Sequence, residues 1–169
     1  MSTWINKLLP PKIKRESGTQ RRSMLPEGLW SKCAQCDAVL YTADLIKNLS
    51  VCPKCGHHHR MRARQRIDLL LDPEGRSEIA SEVVPLDVLK FKDTRKYVDR
   101  LAEAEKETGE SEAIVVVQGS IETIPVVLAV FEFEFLAGSM GSAVGERFVR
   151  GVRTAIEHQT PFIVVAASG

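Results

Sequence analysis

A chain of 169 residues is long enough for one ordinary domain with a small module beside it. With 44% hydrophobic and 27% charged residues it has a globular composition. Its longest apolar run, the eight residues Ile124 to Phe131, is too short to cross a bilayer as a helix. The net charge of +1 hides a division: residues 1–66 carry 13 Lys or Arg against 4 Asp or Glu, and residues 67–169 carry 10 against 18. A basic head on an acidic body implies two modules with different partners.

Residues 1–27 read as a basic flexible arm, with Pro10, Pro11, Ser17, Gly18, Arg21, Arg22 and Pro26 and little periodicity beyond a short helix at Trp4–Leu9. Pro10-Pro11 interrupts the apolar start before a signal-peptide core forms, so a cytoplasmic location is expected. Residues 28–58 hold all four cysteines, spaced C-x2-C-x15-C-x2-C. Two intervening residues let a tight turn aim both sulfurs at one ion, and the long interval lets a hairpin bring the second pair opposite the first. Cys33, Cys36, Cys52 and Cys55 are therefore expected to hold one structural Zn(2+) per chain in a four-cysteine zinc ribbon, with Gly56 easing the second turn. Four thiolates leave no open position for an activated water, so the ion would serve folding rather than chemistry. Thiol redox and disulfide readings are weaker, and His57, His58 and His59 are spare ligands at most.

Beyond the ribbon, Arg60, Arg62, Arg64 and Arg66 alternate; on a helix they would spread positive charge over a broad face fit for phosphate or nucleic acid, or simply for water. Ile67, Leu70 and Leu71 predict a helix ended by Asp72-Pro73, and a second helix is predicted from Asp93 to Thr108 with Gly109 as its cap. Ala113–Val117 and Pro125–Phe133 predict a hairpin turning within Gly119–Thr123, and Phe131, Phe133 and Phe135 alternate with Glu132 and Glu134 as a strand with one wet face would. A glycine turn, Ala137 to Gly141, precedes a helical stripe of Val144, Phe148, Val152 and Ile156, then an extended run Phe162–Ala166. Strand, turn, helix and strand make a βαβ unit, so the body is expected to be α/β. Gly138, Gly141 and Gly145 surround the strand-to-helix junction, where backbone amides could face a ligand.

Several segments, in order, resemble the carboxyltransferase β subunit of bacterial-type acetyl-CoA carboxylase. They are the cysteine pattern, Val88-Leu89-Lys90-Phe91-Lys92-Asp93 with Lys96-Tyr97, Glu107-Thr108-Gly109-Glu110, Phe133 to Ser142, and Val144-Gly145-Glu146-Arg147-Phe148. Ala137 departs where the family commonly has glycine, as does Glu122-Thr123 at the hairpin turn. The resemblance implies a crotonase-like (ClpP/crotonase) α/β spiral domain over residues 59–169, incomplete, behind the zinc ribbon. It further implies transfer of a carboxyl group from biotin on a biotin carboxyl carrier protein to acetyl-CoA, giving malonyl-CoA for fatty-acid biosynthesis. The expected partners are the carboxyltransferase α subunit in an α2β2 assembly and biotin carboxylase. By the same resemblance Gly138, Ser139, Met140, Gly141 and Gly145 would lie at the CoA pocket, and Gly169 would belong to an oxyanion hole that this stretch does not complete, so the chain is expected to be an inactive part of a longer protein. The competing expectation is a zinc-ribbon module that binds nucleic acid through the arginines.

Overall fold

The computed structural model describes residues 28–167, so the expectations for the basic arm and for Gly169 lie outside the described residues. The chain divides into two compact units between His57 and His58.

In the first unit, β1 (Trp30–Lys32) pairs antiparallel with β2 (Val39–Tyr41), and α1 (Thr42–Lys47) follows. Among the described residues its buried apolar cluster is Cys33, Leu40, Leu45 and Cys52, with Ala38 packed beside it. So small a core cannot hold a fold by itself, which leaves the stability to the cysteine site.

The second unit is built on a sheet of order β3-β4-β5-β6, from β3 (Ser77–Glu78), β4 (Ile114–Ile121), β5 (Ile124–Phe131) and β6 (Phe162–Val165). Its helices are α2 (Ala63–Leu70), α3 (Tyr97–Thr108) and α4 (Ser142–Glu157). Strands β4 and β5 are antiparallel, and β5 pairs with β6 in parallel across α4, which is the expected βαβ unit. Side chains alternate strictly. Ile114, Val116, Val127, Ala129 and Phe131 point to the face that carries Ala104 of α3 and Val144 and Ala155 of α4. Val115, Val117, Val126, Leu128 and Val130 point to the opposite face, under Ala63, Ile67 and Leu71. Both faces are covered, so these strands read as continuous apolar runs.

Helix α4 lies close on the sheet because Gly151 has no side chain. A Cβ there would stand 2.7 Å from Val116 Cγ1 and 3.0 Å from Phe162 Cε2. Gly151→Ala is expected to destabilise the body by about 2 kcal/mol through overpacking, well above the helix propensity it gains. Urea unfolding checks this; an unchanged or higher midpoint would refute it.

Three local expectations change. The hairpin turns at Glu122-Thr123 alone, with φ of 48° and 71°, and Gly119 lies within β4. Left-handed backbone suits a tight two-residue hairpin turn, yet neither residue favours it. Asp72 compensates: its carboxylate accepts the amides of Glu122 and Thr123 and the Ser120 hydroxyl, at 3.2, 2.9 and 2.7 Å. The Thr123 amide first, then the Ser120 hydroxyl, hold the Asp72 carboxyl below the usual carboxylate range. A depressed folded value means that this stabilisation is present above the ordinary carboxylate pKa and is lost as pH falls through the folded one. Asp72→Ala should therefore lower the urea midpoint at neutral pH and much less in acid; an equal loss at both would argue against the role.

The strand expected through Phe135 instead stops at Phe131. Glu132 turns inward, 3% exposed, where its carboxylate accepts the Ala63 amide at 2.9 Å and the Glu134 amide at 3.0 Å. Helix α3 starts at Tyr97 rather than Asp93, because Asp93 accepts the Arg95 amide and pairs with Arg100, forming a turn ahead of the helix. Gly109 ends α3 with φ of 76°, as expected.

Candidate functional site

The two cysteine pairs are built alike. The Cys33 amide donates to Ala38 O and the Asp37 amide to Cys33 O, both at 2.9 Å. In the second turn the Cys52 amide donates to His57 O at 2.8 Å and the Gly56 amide to Cys52 O at 2.9 Å. Each turn needs a left-handed residue four places after its first cysteine: Asp37 with φ of 58° and Gly56 with φ of 73°. The second turn advertises this need through its glycine; aligning the two pairs identifies Asp37 as the counterpart of Gly56.

All four sulfurs lie within 4.8 Å of one another. The Cys33–Cys55 and Cys36–Cys52 separations are 3.7 and 3.8 Å. A disulfide requires about 2.05 Å. A tetrahedral zinc with bonds of about 2.3 Å sets its sulfurs about 3.8 Å apart. The donor set therefore fits zinc in both chemistry and geometry, as a closed four-cysteine site. The thiols also repel one another's ionisation. The His57 backbone favours the Cys55 thiolate, but burial and the other three sulfurs outweigh it and push this thiol up to about 12. Burial opposes ionisation of Cys52, yet the backbone of Cys55 and Lys54, with the neighbouring thiols, brings it down to about 7. A divalent cation resolves this conflict by taking the place of the protons.

In the body, the glycine turn is more strained than its sequence suggests. Leu136, Ala137 and Gly138 take successive φ values of 47°, 56° and 72° in a short 3-10 turn. Ala137 thus stands where glycine would be at ease, so its departure from the family pattern carries a local cost of about 1 kcal/mol. Gly138 is buried; Ser139, Met140 and Gly141 are exposed and lead into α4, whose cap Gly141 makes no side-chain hydrogen bond. Gly145 also faces open space on α4, with no atom within 4 Å of the point a Cβ would occupy. Ser139, Met140, Gly141 and Gly145 therefore form an exposed ridge at the amino end of α4, beside the buried Gly138; the Ser139 and Gly145 amides donate to Leu136 O and Gly141 O.

The alternating arginines do not share a helical face, since Glu132 sets the start of α2 at Ala63. Arg62 pairs with Glu134 at 2.8 Å. Arg64 forks onto the buried Glu110 with two bonds of 2.7 Å and also reaches Glu78. Hydrogen bonds to Glu110 raise its pKa further above the ordinary arginine value. Arg60 instead lies over the Phe133 ring, 3.7 Å from its centroid. Two of the four are thus engaged in holding the body together.

Residues 30–55 match the acetyl-CoA carboxylase zinc finger domain. The four cysteines all lie within that match. The chain resembles two solved structures at a level that shows the fold. One is a transcarboxylase 12S structure with hydrolysed methylmalonyl-coenzyme A bound, at 23% identity and TM-score 0.50, covering 65% of this chain and 19% of that one. The other is a single-chain, multi-domain long-chain acyl-CoA carboxylase, at 21% identity and TM-score 0.51, covering 65% of this chain and 11% of that one. The body is accordingly a partial crotonase-like α/β domain behind a four-cysteine ribbon. The chain spans under a fifth of the length of either structure. Among the described residues no helix is long and apolar enough to cross a membrane.

Proposed function

We propose that this chain is the ribbon-bearing part of an acetyl-CoA carboxylase carboxyltransferase, moving a carboxyl group onto acetyl-CoA to give malonyl-CoA in fatty-acid synthesis. The observation that carries the reading is the order of parts: an acetyl-CoA carboxylase zinc finger at 30–55, then a body with the fold of acyl-CoA carboxylases. Biotin, held by a carrier protein, supplies the activated carboxyl group in this chemistry. The protein's own task is to bind the thioester and stabilise the enolate that forms when its methyl group loses a proton, which calls for aimed backbone amides rather than a nucleophile.

The junction Gly138, Ser139, Met140, Gly141 and Gly145 suits that task, since close backbone approach at the amino end of α4 is what it offers. Gly169 is the proposed start of the oxyanion-stabilising pair. A nucleic-acid module is not favoured, because Arg62 and Arg64 are committed to Glu134, Glu78 and Glu110. An α subunit, a biotin carboxyl carrier protein and a biotin carboxylase are the proposed partners, in the cytoplasm.

The test supplies the remainder of the spiral and an α subunit, then measures malonyl-CoA formed from acetyl-CoA and carboxylated carrier. Product from acetyl-CoA is the expected result; product from propionyl-CoA alone would move the substrate, and none from either would overturn the reading. Gly145→Ala separates site from scaffold. An exposed helical glycine replaced by alanine should gain up to about 1 kcal/mol of stability. The same methyl should raise KM for acetyl-CoA severalfold, and an unchanged KM would remove Gly145 from the site.

A further inference from the structure

Of the body's ten arginines, seven have work inside the fold. Arg62, Arg64, Arg76, Arg95, Arg100 and Arg150 pair with carboxylates, and Arg147 is buried against carbonyls. Arg60, Arg66 and Arg153 have no carboxylate partner among the described residues. Two of those three, Arg60 and Arg66, line one crevice of about 210 Å³ with Phe131, Phe133, Ala166 and Ala167. No carboxylate among the described residues lines it.

Its position is informative. Phe131 ends β5, and Ala166-Ala167 follow β6, its parallel neighbour. The crevice therefore opens at the carboxyl ends of parallel strands, where open α/β sheets bind ligands. Arg60 is steadied on the Phe133 ring, a contact that fixes its plane without using its N–H groups. Arg66 is half-buried, so part of its hydration is lost without a counter-ion in return. Two guanidiniums without carboxylate partners, over an aromatic and apolar floor, are suited to a phosphate attached to an organic group.

We propose that this crevice binds a phosphate-bearing part of the acyl-CoA, with Arg60 and Arg66 as its anion contacts. The identity of the ligand rests on the function proposed above; the anion site itself rests on the two arginines. A concave space of this size fits one or two phosphates with an attached ring, whereas a nucleic-acid strand would need the neighbouring Arg62 and Arg64 as well.

The experiment measures binding of CoA, 3′-dephospho-CoA, acetyl-pantetheine and inorganic pyrophosphate to the full chain and to Arg60→Gln, Arg66→Gln and Arg66→Lys, each checked by circular dichroism. Each glutamine variant should weaken CoA about tenfold, the loss of a charged hydrogen bond. Arg66→Lys should recover part of it, and acetyl-pantetheine should not respond. A smaller response with 3′-dephospho-CoA assigns the contact to the 3′-phosphate; an equal response assigns it to the pyrophosphate. Unchanged CoA binding in both glutamine variants overturns the proposal while leaving the function standing. Pyrophosphate binding that requires Arg66, without CoA binding, keeps the anion site and removes acyl-CoA as its ligand. Failure to bind either compound, or single-stranded RNA binding that depends equally on Arg62, overturns the site.

Discussion

Cys33→Ser will unfold the ribbon and leave the body folded. Cys33 is fully buried, and with Cys52 it makes up half of the four-residue apolar cluster that the described residues of its unit form. The two leucines of that cluster contribute about 4 kcal/mol when buried. Zinc held by four cysteines contributes on the order of 10 kcal/mol at neutral pH, so the ion decides whether this unit folds. Serine cannot supply a thiolate, and a three-sulfur site also loses the closed tetrahedron that fits the 3.7 and 3.8 Å separations.

The readout is built in. The chain has only two tryptophans, Trp4 and Trp30, both ahead of the body. Trp30 lies 5.4 Å from the Tyr41 ring across the β1-β2 pair. Loss of the ribbon should shift tryptophan emission and drop zinc content from about one per chain to near zero. Strong chelation of the unaltered protein should do the same, and more readily in acid, where protons compete for the thiolates. An unchanged emission spectrum after complete metal removal would show that the ribbon folds without zinc.

The ribbon was legible because its information is local: cysteine spacing fixes which sulfurs can meet, and the metal does the rest. Strands β4 and β5 and helix α4 were legible for a related reason, since both sheet faces are apolar and the βαβ order follows from period and glycine position. What escaped the sequence was governed by distant partners. Alternation of Phe131, Glu132 and Phe133 suggested a strand, but Glu132 is drawn inward by the Ala63 amide, 69 positions away. That same bond sets where α2 begins and so breaks up the expected arginine face. Four arginines in alternation look equivalent in sequence. Only the positions of Glu78, Glu110 and Glu134 divide them into those paired within the scaffold and those without a carboxylate partner among the described residues. Ala137 and Asp37 carry left-handed backbone that their residue types do not advertise, and only comparison with the glycines at related positions would have exposed it.

Arg147→Met is expected to cost the body about 4 kcal/mol, and about 15 °C in Tm. Methionine matches much of the volume, so the effect is polar. Arg147 is 1% exposed and donates to Val83 O, Ile114 O, Ser81 O and the Ser111 hydroxyl, at 2.9, 3.0, 3.2 and 2.7 Å. It thereby fastens α4 to the start of β4 and to the irregular segment 81–84, and its removal leaves the buried Ile114 carbonyl and the part-buried Val83 and Ser81 carbonyls without this donor. Lysine brings fewer donors in a different geometry and should recover less than half of the loss. The variant should also acquire a pH dependence through Glu112. Burial raises the Glu112 carboxyl above its ordinary range, and the Arg147 charge partly offsets this. Without that charge the folded pKa rises further, so the protein binds more protons folded than unfolded and loses stability as pH climbs above the ordinary carboxylate value. The cost of Arg147→Met should therefore shrink toward about pH 4, and Glu112→Gln should relieve part of it at neutral pH. If the cost is the same at both pH values and additive with Glu112→Gln, Arg147 acts only through its hydrogen bonds.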